Sequence, residues 1–171
     1  RIASVSGIVA SASAGNYCAD YITETNGKSA NGWGIAFYTD AEAFEICFRE
    51  LSCAYRVRVD GQWTAAADYT VATSAGFHYD KFDFGAGSGT PRLIEIFFSA
   101  SAQIRGISIG KSAGTTKENC PYKAWAPVQV GSRLVVFGDS YTYGVGATNC
   151  RDGFAYQLAA ELGCANVIAA G

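Results

Sequence analysis

The sequence predicts a mixed fold: an antiparallel β-sandwich of jelly-roll type, followed by the beginning of an α/β/α domain. Three observations lead there. Between residues 33 and 110, apolar and polar residues alternate with a period of two in several short segments. Turn-forming Gly, Asn, Ser and Thr separate those segments. From Arg133 the texture changes to a continuous apolar run, a helical pattern and a second apolar run.

The first strand expected is Trp33 to Thr39, rich in aromatic and β-branched residues. Phe44, Ile46 and Phe48 then alternate with Glu45 and Cys47, and Tyr55, Val57 and Val59 with Arg56, Arg58 and Asp60. These six apolar residues are expected to face the core. Asp60-Gly61 marks a tight turn before Gln62-Trp63-Thr64. Leu93 to Ser99 and Ala102 to Ile109 are further strands. Turns are expected at Asn26-Gly27, Asn31-Gly32 and Gly85 to Thr90.

Residues 113–132, with Gly114, Pro121 and Pro127, read as a linker between a sandwich domain at 1–112 and an α/β segment at 133–171. Arg133 to Phe137 suits a strand buried on both faces of a parallel sheet. A helix is expected over 152–163, with Asp152 as N-cap, Gly163 at the C-terminal cap, and Phe154, Leu158 and Leu162 on one face. Asn166 to Ala170 starts a second strand, and the β-α-β order implies a parallel pair.

The composition is that of a globular chain: 49% hydrophobic and 16% charged, with a net charge of −2 and no basic block. Nucleic acid is therefore a poor partner. No apolar run is long enough to span a bilayer. The chain has no Met, opens at Arg1 and closes at Gly171 after an apolar run, so both ends are expected to be cuts through a longer protein. Six cysteines stand at 18, 47, 53, 120, 150 and 164, with no Cys-x-x-Cys spacing. Cys47 and Cys53 flank a turn read as a hairpin and point by parity to opposite faces; a helix separates Cys150 from Cys164. Mostly free thiols are expected, and the redox compartment stays open.

The chemistry is concentrated in Gly138-Asp139-Ser140, placed directly after the apolar strand. A nucleophilic serine needs exposure, a fixed direction and an anion hole, and the C-terminal edge of a parallel sheet offers all three. Gly138 permits a tight backbone path, and Asp139 is suited to lock the turn by accepting backbone N–H groups. Gly144-x-Gly146 lacks the third glycine of a dinucleotide loop.

The stretch from Val135 to Ala147, VVFGDSYTYGVGA, resembles the first conserved block of the SGNH/GDSL serine hydrolases. Asp152 to Gly163, DGFAYQLAAELG, is similar to their first helix, and NVIAAG at 166–171 to the strand leading toward their oxyanion glycine. The likeness covers roughly the last quarter of the chain. With the sandwich in front, the layout resembles two-domain carbohydrate esterases and SGNH modules of phage tails. The resemblance implies a flavodoxin-like α/β/α domain, Ser140 as nucleophile, the Ser140 N–H as an oxyanion donor, and Gly138 and Asp139 as supports of the turn. It implies no metal and no organic cofactor. The activity implied is a serine esterase acting on acetylated carbohydrate through an acyl-serine, in a secreted or virion-associated setting rather than a cytoplasmic one. Oligomeric state or membership of a larger assembly is left open. The family's oxyanion Asn and its late Asp-x-x-His have no match after Ser140, so this stretch alone is expected to be nearly inactive.

Plainer readings compete. His78, the one histidine, precedes Ser140 and reads better as a surface or turn residue than as its base. Trp33, Trp63, Tyr69, Tyr79 and Trp125 suggest a sugar-stacking platform, but aromatics alternating in strands usually belong to a core. The functional rival is a non-catalytic carbohydrate-binding or virion structural module.

Overall fold

In the computed structural model, the residues described are 4–6, 33–49, 52–72, 77–99, 102, 104–112, 121–127, 132–142, 144–149, 152–164 and 166–170. Their elements are β1 (Ser4–Ser6), β2 (Trp33–Thr39), β3 (Ala43–Arg49), β4 (Cys53–Val59), β5 (Gln62–Trp63), β6 (Tyr69–Val71), β7 (Phe77–Asp83), β8 (Arg92–Phe98), β9 (Ile104–Gly110), β10 (Ala124–Trp125), β11 (Arg133–Phe137), α1 (Phe154–Glu161) and β12 (Asn166–Ala170). The turns expected at Asn26-Gly27 and Asn31-Gly32 lie outside the described residues, as do Cys18, Cys120 and Cys150.

Two antiparallel sheets form the sandwich. The large one runs β2-β8-β4, with β1 and β10 on the outer edge of β2 and β5 and β6 on the far edge of β4. The small one runs β7-β3-β9. Period-two alternation aims Ile35, Phe37, Tyr55, Val57, Ile94, Ile96 and Phe98 from the large sheet at Phe44, Ile46, Phe48 and Ile104 from the small one, and all of these are buried. Val59 packs against the same core from its edge, so the six inward residues read from sequence do line the interior. Each buried aromatic or branched side chain contributes about 1.5–3 kcal/mol relative to exposure. Phe48 meets Tyr55 across the gap between the sheets at 4.9 Å, and within the small sheet Phe44 stacks on its cross-strand neighbour Phe82 at 4.8 Å. On β9 the residue between Ile104 and Gly106 is a bulge, since Phe48 pairs with Ile104 and Cys47 with Gly106.

The turn between Cys47 and Cys53 is not a hairpin. It carries the chain from the small sheet to the large one, β3 and β4 pairing in different sheets. The parity argument survives the change: Cys53 is buried inside, Cys47 is only partly covered, and both are free thiols, as is Cys164. Asp60-Gly61 does make the β4–β5 turn, both residues adopting positive φ (49° and 82°), as a primed turn requires. Asp60 then accepts the Leu93 N–H at 2.8 Å, tying the turn to β8.

Within 113–132, β10 pairs with β2, Ala124 with Thr39 and Trp125 with Tyr38. The buried Thr39 hydroxyl donates to Lys123 O at 2.8 Å and accepts from Ala41 N at 3.1 Å, so its polar group is satisfied on both sides.

β11 and β12 pair in parallel, from Arg133 opposite Asn166 to Phe137 opposite Ala170. The helix that joins them packs on one face, placing Ala155, Tyr156 and Ala159 against Val167, Leu134 and Val136. Three expectations need correction here. β11 is covered on one face only, leaving Val135 and Phe137 exposed. The helical stripe of Phe154, Leu158 and Leu162 faces outward, because the small Ala155 and Ala159 let the opposite face approach the strands closely. The N-cap is Gly153 rather than Asp152, and no side chain caps the helix. The C-terminal end is as expected: Gly163 has φ +63°, its N–H meets Ala160 O, and Cys164 N–H meets Ala159 O at 2.8 Å, a Schellman motif.

Candidate active site

Ser140 lies three residues beyond β11, past the C-terminal ends of the parallel pair, and is exposed. The turn that carries it is built from local hydrogen bonds. Asp139 Oδ1 accepts the Tyr141 N–H at 2.9 Å, an Asx turn centred on Ser140. Val145 N–H donates to Ser140 O at 2.9 Å, and Gly144 N–H to Tyr141 O at 3.0 Å. Gly144 and Gly146 take φ values of +99° and +86°, which a side chain would oppose. Gly138 is required for a different reason. A Cβ there would overlap the buried Thr142 Oγ1, so a side chain at residue 138 would force Thr142 or the turn to shift.

Contacts inside the turn thus use up the Ser140 carbonyl and the Tyr141 N–H. Among the described residues, nothing accepts from the Ser140 N–H and nothing is hydrogen-bonded to its hydroxyl. Tyr141 and Val145 are exposed beside it, giving an apolar rim. Behind the turn, Gly153 at the start of α1 packs against Gly144, where a Cβ would lie 3.2 Å from the Gly144 Cα.

The other sequence candidates are elsewhere. His78 sits on β7 in the small sheet, its Nε2 2.7 Å from Asp80 Oδ1 and its ring against Phe48. Asp80 Oδ2 accepts from the Tyr55 hydroxyl at 2.6 Å. This polar bridge joins the two sheets at the solvent-reached rim of the sandwich, where the His78 side chain is 40% and that of Asp80 29% exposed. Burial, and then the hydrogen bond to Asp80, hold the Tyr55 phenol far above its ordinary range. Burial likewise pushes the Cys53 thiol up to about 11, with the Asp80 charge adding to it. The structure does not gather the five aromatics. Tyr69 stacks on Tyr55 against the core. Tyr79 is exposed on the small sheet. Trp63 is on the large sheet beside Phe97, and Trp125 stacks on Tyr38 at the opposite edge of that sheet. The Trp33 side chain lies outside the described residues. No group of three or more His, Cys, Asp or Glu is placed to hold a metal among the described residues, and no described helix is long and apolar enough to cross a membrane.

One charged residue escaped the sequence reading. Arg56 alternates outward from β4 as its parity requires, yet it is only 7% exposed. Its Nε lies 3.4 Å from Asp68 Oδ1, and its Nη1 is 3.7 Å from Oδ1 of Asp152, which leads into α1. An outward parity in the sequence carries no sign of a neighbour that is far away along the chain.

No protein-family model matches the chain, and no curated protein matches it. Solved structures do. A family two carbohydrate esterase from Clostridium thermocellum, solved with cellohexaose, superposes with a TM-score of 0.62 at 16% identity, over 83% of this chain and 45% of that one. A family two carbohydrate esterase from Cellvibrio japonicus gives 0.63 at 16% identity, over 96% and 48%. A GDSL-like lipase from Bacteroides ovatus gives 0.58 at 12% identity, over 98% and 54%. The chain therefore shares the fold of these proteins, a β-sandwich followed by the opening of an α/β unit. It spans about half the length of the solved structures it matches.

Proposed function

We propose that this chain supplies the sandwich and the nucleophile segment of an SGNH-type serine esterase that removes acetyl groups from carbohydrate. The observation that carries the reading is Ser140 itself: an exposed hydroxyl beyond the end of a parallel strand, on a turn pinned by Asp139 and relieved of crowding by Gly138. Ser140 Oγ attacks the ester carbonyl and loses its proton to a general base. The Ser140 N–H, unclaimed within the turn, donates to the developing oxyanion. The sugar hydroxyl departs with the proton, and water then cleaves the acyl-serine, restoring the serine and releasing acetate. His78 is committed to Asp80 within the sandwich, so the base is assigned to a histidine outside these residues. Carbohydrate as substrate is supported by the shared fold with carbohydrate esterases. A secreted or virion-borne setting goes with that substrate.

Hydrolysis of an aryl acetate and of an acetylated polysaccharide by the intact protein tests this. Ser140→Ala is expected to lower turnover by a factor of about 10⁴ or more with the fold unchanged. Carbohydrate binding without serine-dependent acetate release, in an intact protein carrying all its residues, would favour the binding-module reading.

A further inference from the structure

Arg56 projects from the outer face of the large sheet and is buried there, between Trp63, Ala66 and Asp68 of the sandwich and Asp152 of the α/β segment. The plane of its guanidinium is set by Trp63, whose ring centroid lies 4.2 Å away, and one nitrogen reaches Ala66 O at 3.4 Å. Asp68 balances it from within the sandwich and Asp152 from the α/β segment. A buried guanidinium is costly unless carboxylates meet it, so the place of Asp152 is tied to the sandwich. Asp152 is in turn held locally. Its Oδ2 accepts from Asn149 Nδ2, and its N–H donates to Asn149 O at 3.1 Å. The next residue, Gly153, packs on Gly144, whose N–H closes the turn onto Tyr141 O. Contacts thus run without a break from Arg56 through Asp152, Gly153 and Gly144 to the neighbour of Ser140.

We infer that the outer face of the large sheet is the seat of the nucleophile unit, and that Arg56, acting through Asp152, is a positioning residue for the Ser140 turn. Only the catalytic consequence rests on the esterase reading; the contact itself does not. Asp68 and Trp63 fix Arg56, and the half-exposed Asp152 carboxylate registers the start of α1 against that fixed charge.

The test is hydrogen exchange on the protein and on its Asp152→Asn, Arg56→Met and double variants, followed by ester kinetics on the intact protein. Asp152→Asn leaves Arg56 with Asp68 and Trp63, so the sandwich stays folded even if Arg56→Met does not. The hydrogen-bonded amides of Tyr141, Gly144 and Val145 and those of residues 156–161 are expected to exchange about tenfold faster in each single variant, while those of β3 and β9 keep their rates. The double variant is expected to be no faster than the more severe single one, because both changes break one contact. In the kinetics, Asp152→Asn is expected to lower kcat about tenfold with KM little changed, and Arg56→Lys to retain more activity than Arg56→Met. Unchanged exchange at Tyr141, Gly144 and Val145 in both single variants, additive effects in the double, or faster exchange with an unchanged kcat would each overturn the positioning role. Faster exchange in an intact protein that shows no esterase activity would support the tether and count against the esterase reading alone.

Discussion

The sandwich and the α/β unit hold their shapes by different means. In the sandwich, two sheets close on each other, and Phe44, Ile46, Phe48, Ile94, Ile96, Phe98 and Ile104 are all but inaccessible. In the α/β unit, Ala155, Tyr156, Ala159 and Val167 are the buried apolar residues among those described, while Phe137 is 81% exposed and Leu162 60%. The first region is stabilised by the volume of its core. Among the described residues, the second fixes the Ser140 turn by close glycine contacts, local hydrogen bonds and one ion pair to the sandwich. Rigidity at the site therefore comes from geometry, and a change too small to disturb a core is enough to disturb it.

The largest effect expected comes from the sandwich. Phe48→Ala removes a ring that touches Tyr55 and Phe98 and is expected to cost about 3–5 kcal/mol in a denaturant titration. A loss under 1 kcal/mol would show that the two-sheet core is not the main source of stability. Next is Gly138→Ala, which sets a Cβ against Thr142 Oγ1. In the intact protein this is expected to slow the proposed ester turnover about 100-fold, a barrier increase of about 2.7 kcal/mol, with little change in the unfolding midpoint. Adding Thr142→Ala removes the overlapping oxygen and is expected to restore part of the rate. Equal losses of rate and stability would erase the distinction between the two regions.

The contrast also explains which features were legible in the sequence. Strands β2, β3, β4 and β8 were plain because each alternates with its apolar residues inward. β7 was not, because its first half is inverted: Asp80 takes the side that meets Tyr55, with His78 beside it against Phe48, while Phe77 and Tyr79 point out. Local pattern also cannot say which sheet a strand joins, so the change of sheet between β3 and β4 passed for a hairpin. In α1 both faces are apolar, and hydrophobicity favoured the bulky stripe, whereas close packing on the strands chose the alanines. The serine turn was legible because its residues are consecutive. Arg56 and Asp152 were not, because their pairing exists only in the fold.

A smaller expected effect is a pH dependence rooted in the sandwich interior. Cys53, at about 11, and Tyr55, held above its ordinary range, stay neutral in the folded chain after the same groups have ionised in the unfolded one. The Cys53 contribution is fully present below the ordinary thiol pKa and is lost as pH rises from about 8.5 toward 11, and that of Tyr55 begins to be lost only above about 10. Urea midpoints at pH 7 and pH 10 check this, and Cys53→Ala is expected to flatten the difference. A midpoint that rises with pH across that window would contradict it. The smallest effect expected is that of Leu158→Ser on the exposed face of α1, which should leave the stability of the sandwich within about 0.5 kcal/mol of the parent. A larger loss would mean that this face is covered in solution.

Covalent trapping of the nucleophile tests the central claim most directly. The intact protein would be treated with an aryl-ester-mimicking fluorophosphonate, digested, and mapped by mass spectrometry. The expected adduct is a single phosphonyl group on Ser140, formed in step with the loss of esterase activity and absent from Ser140→Ala. An adduct on another residue, or undiminished ester turnover in Ser140→Ala, would contradict the assignment of Ser140 as the nucleophile.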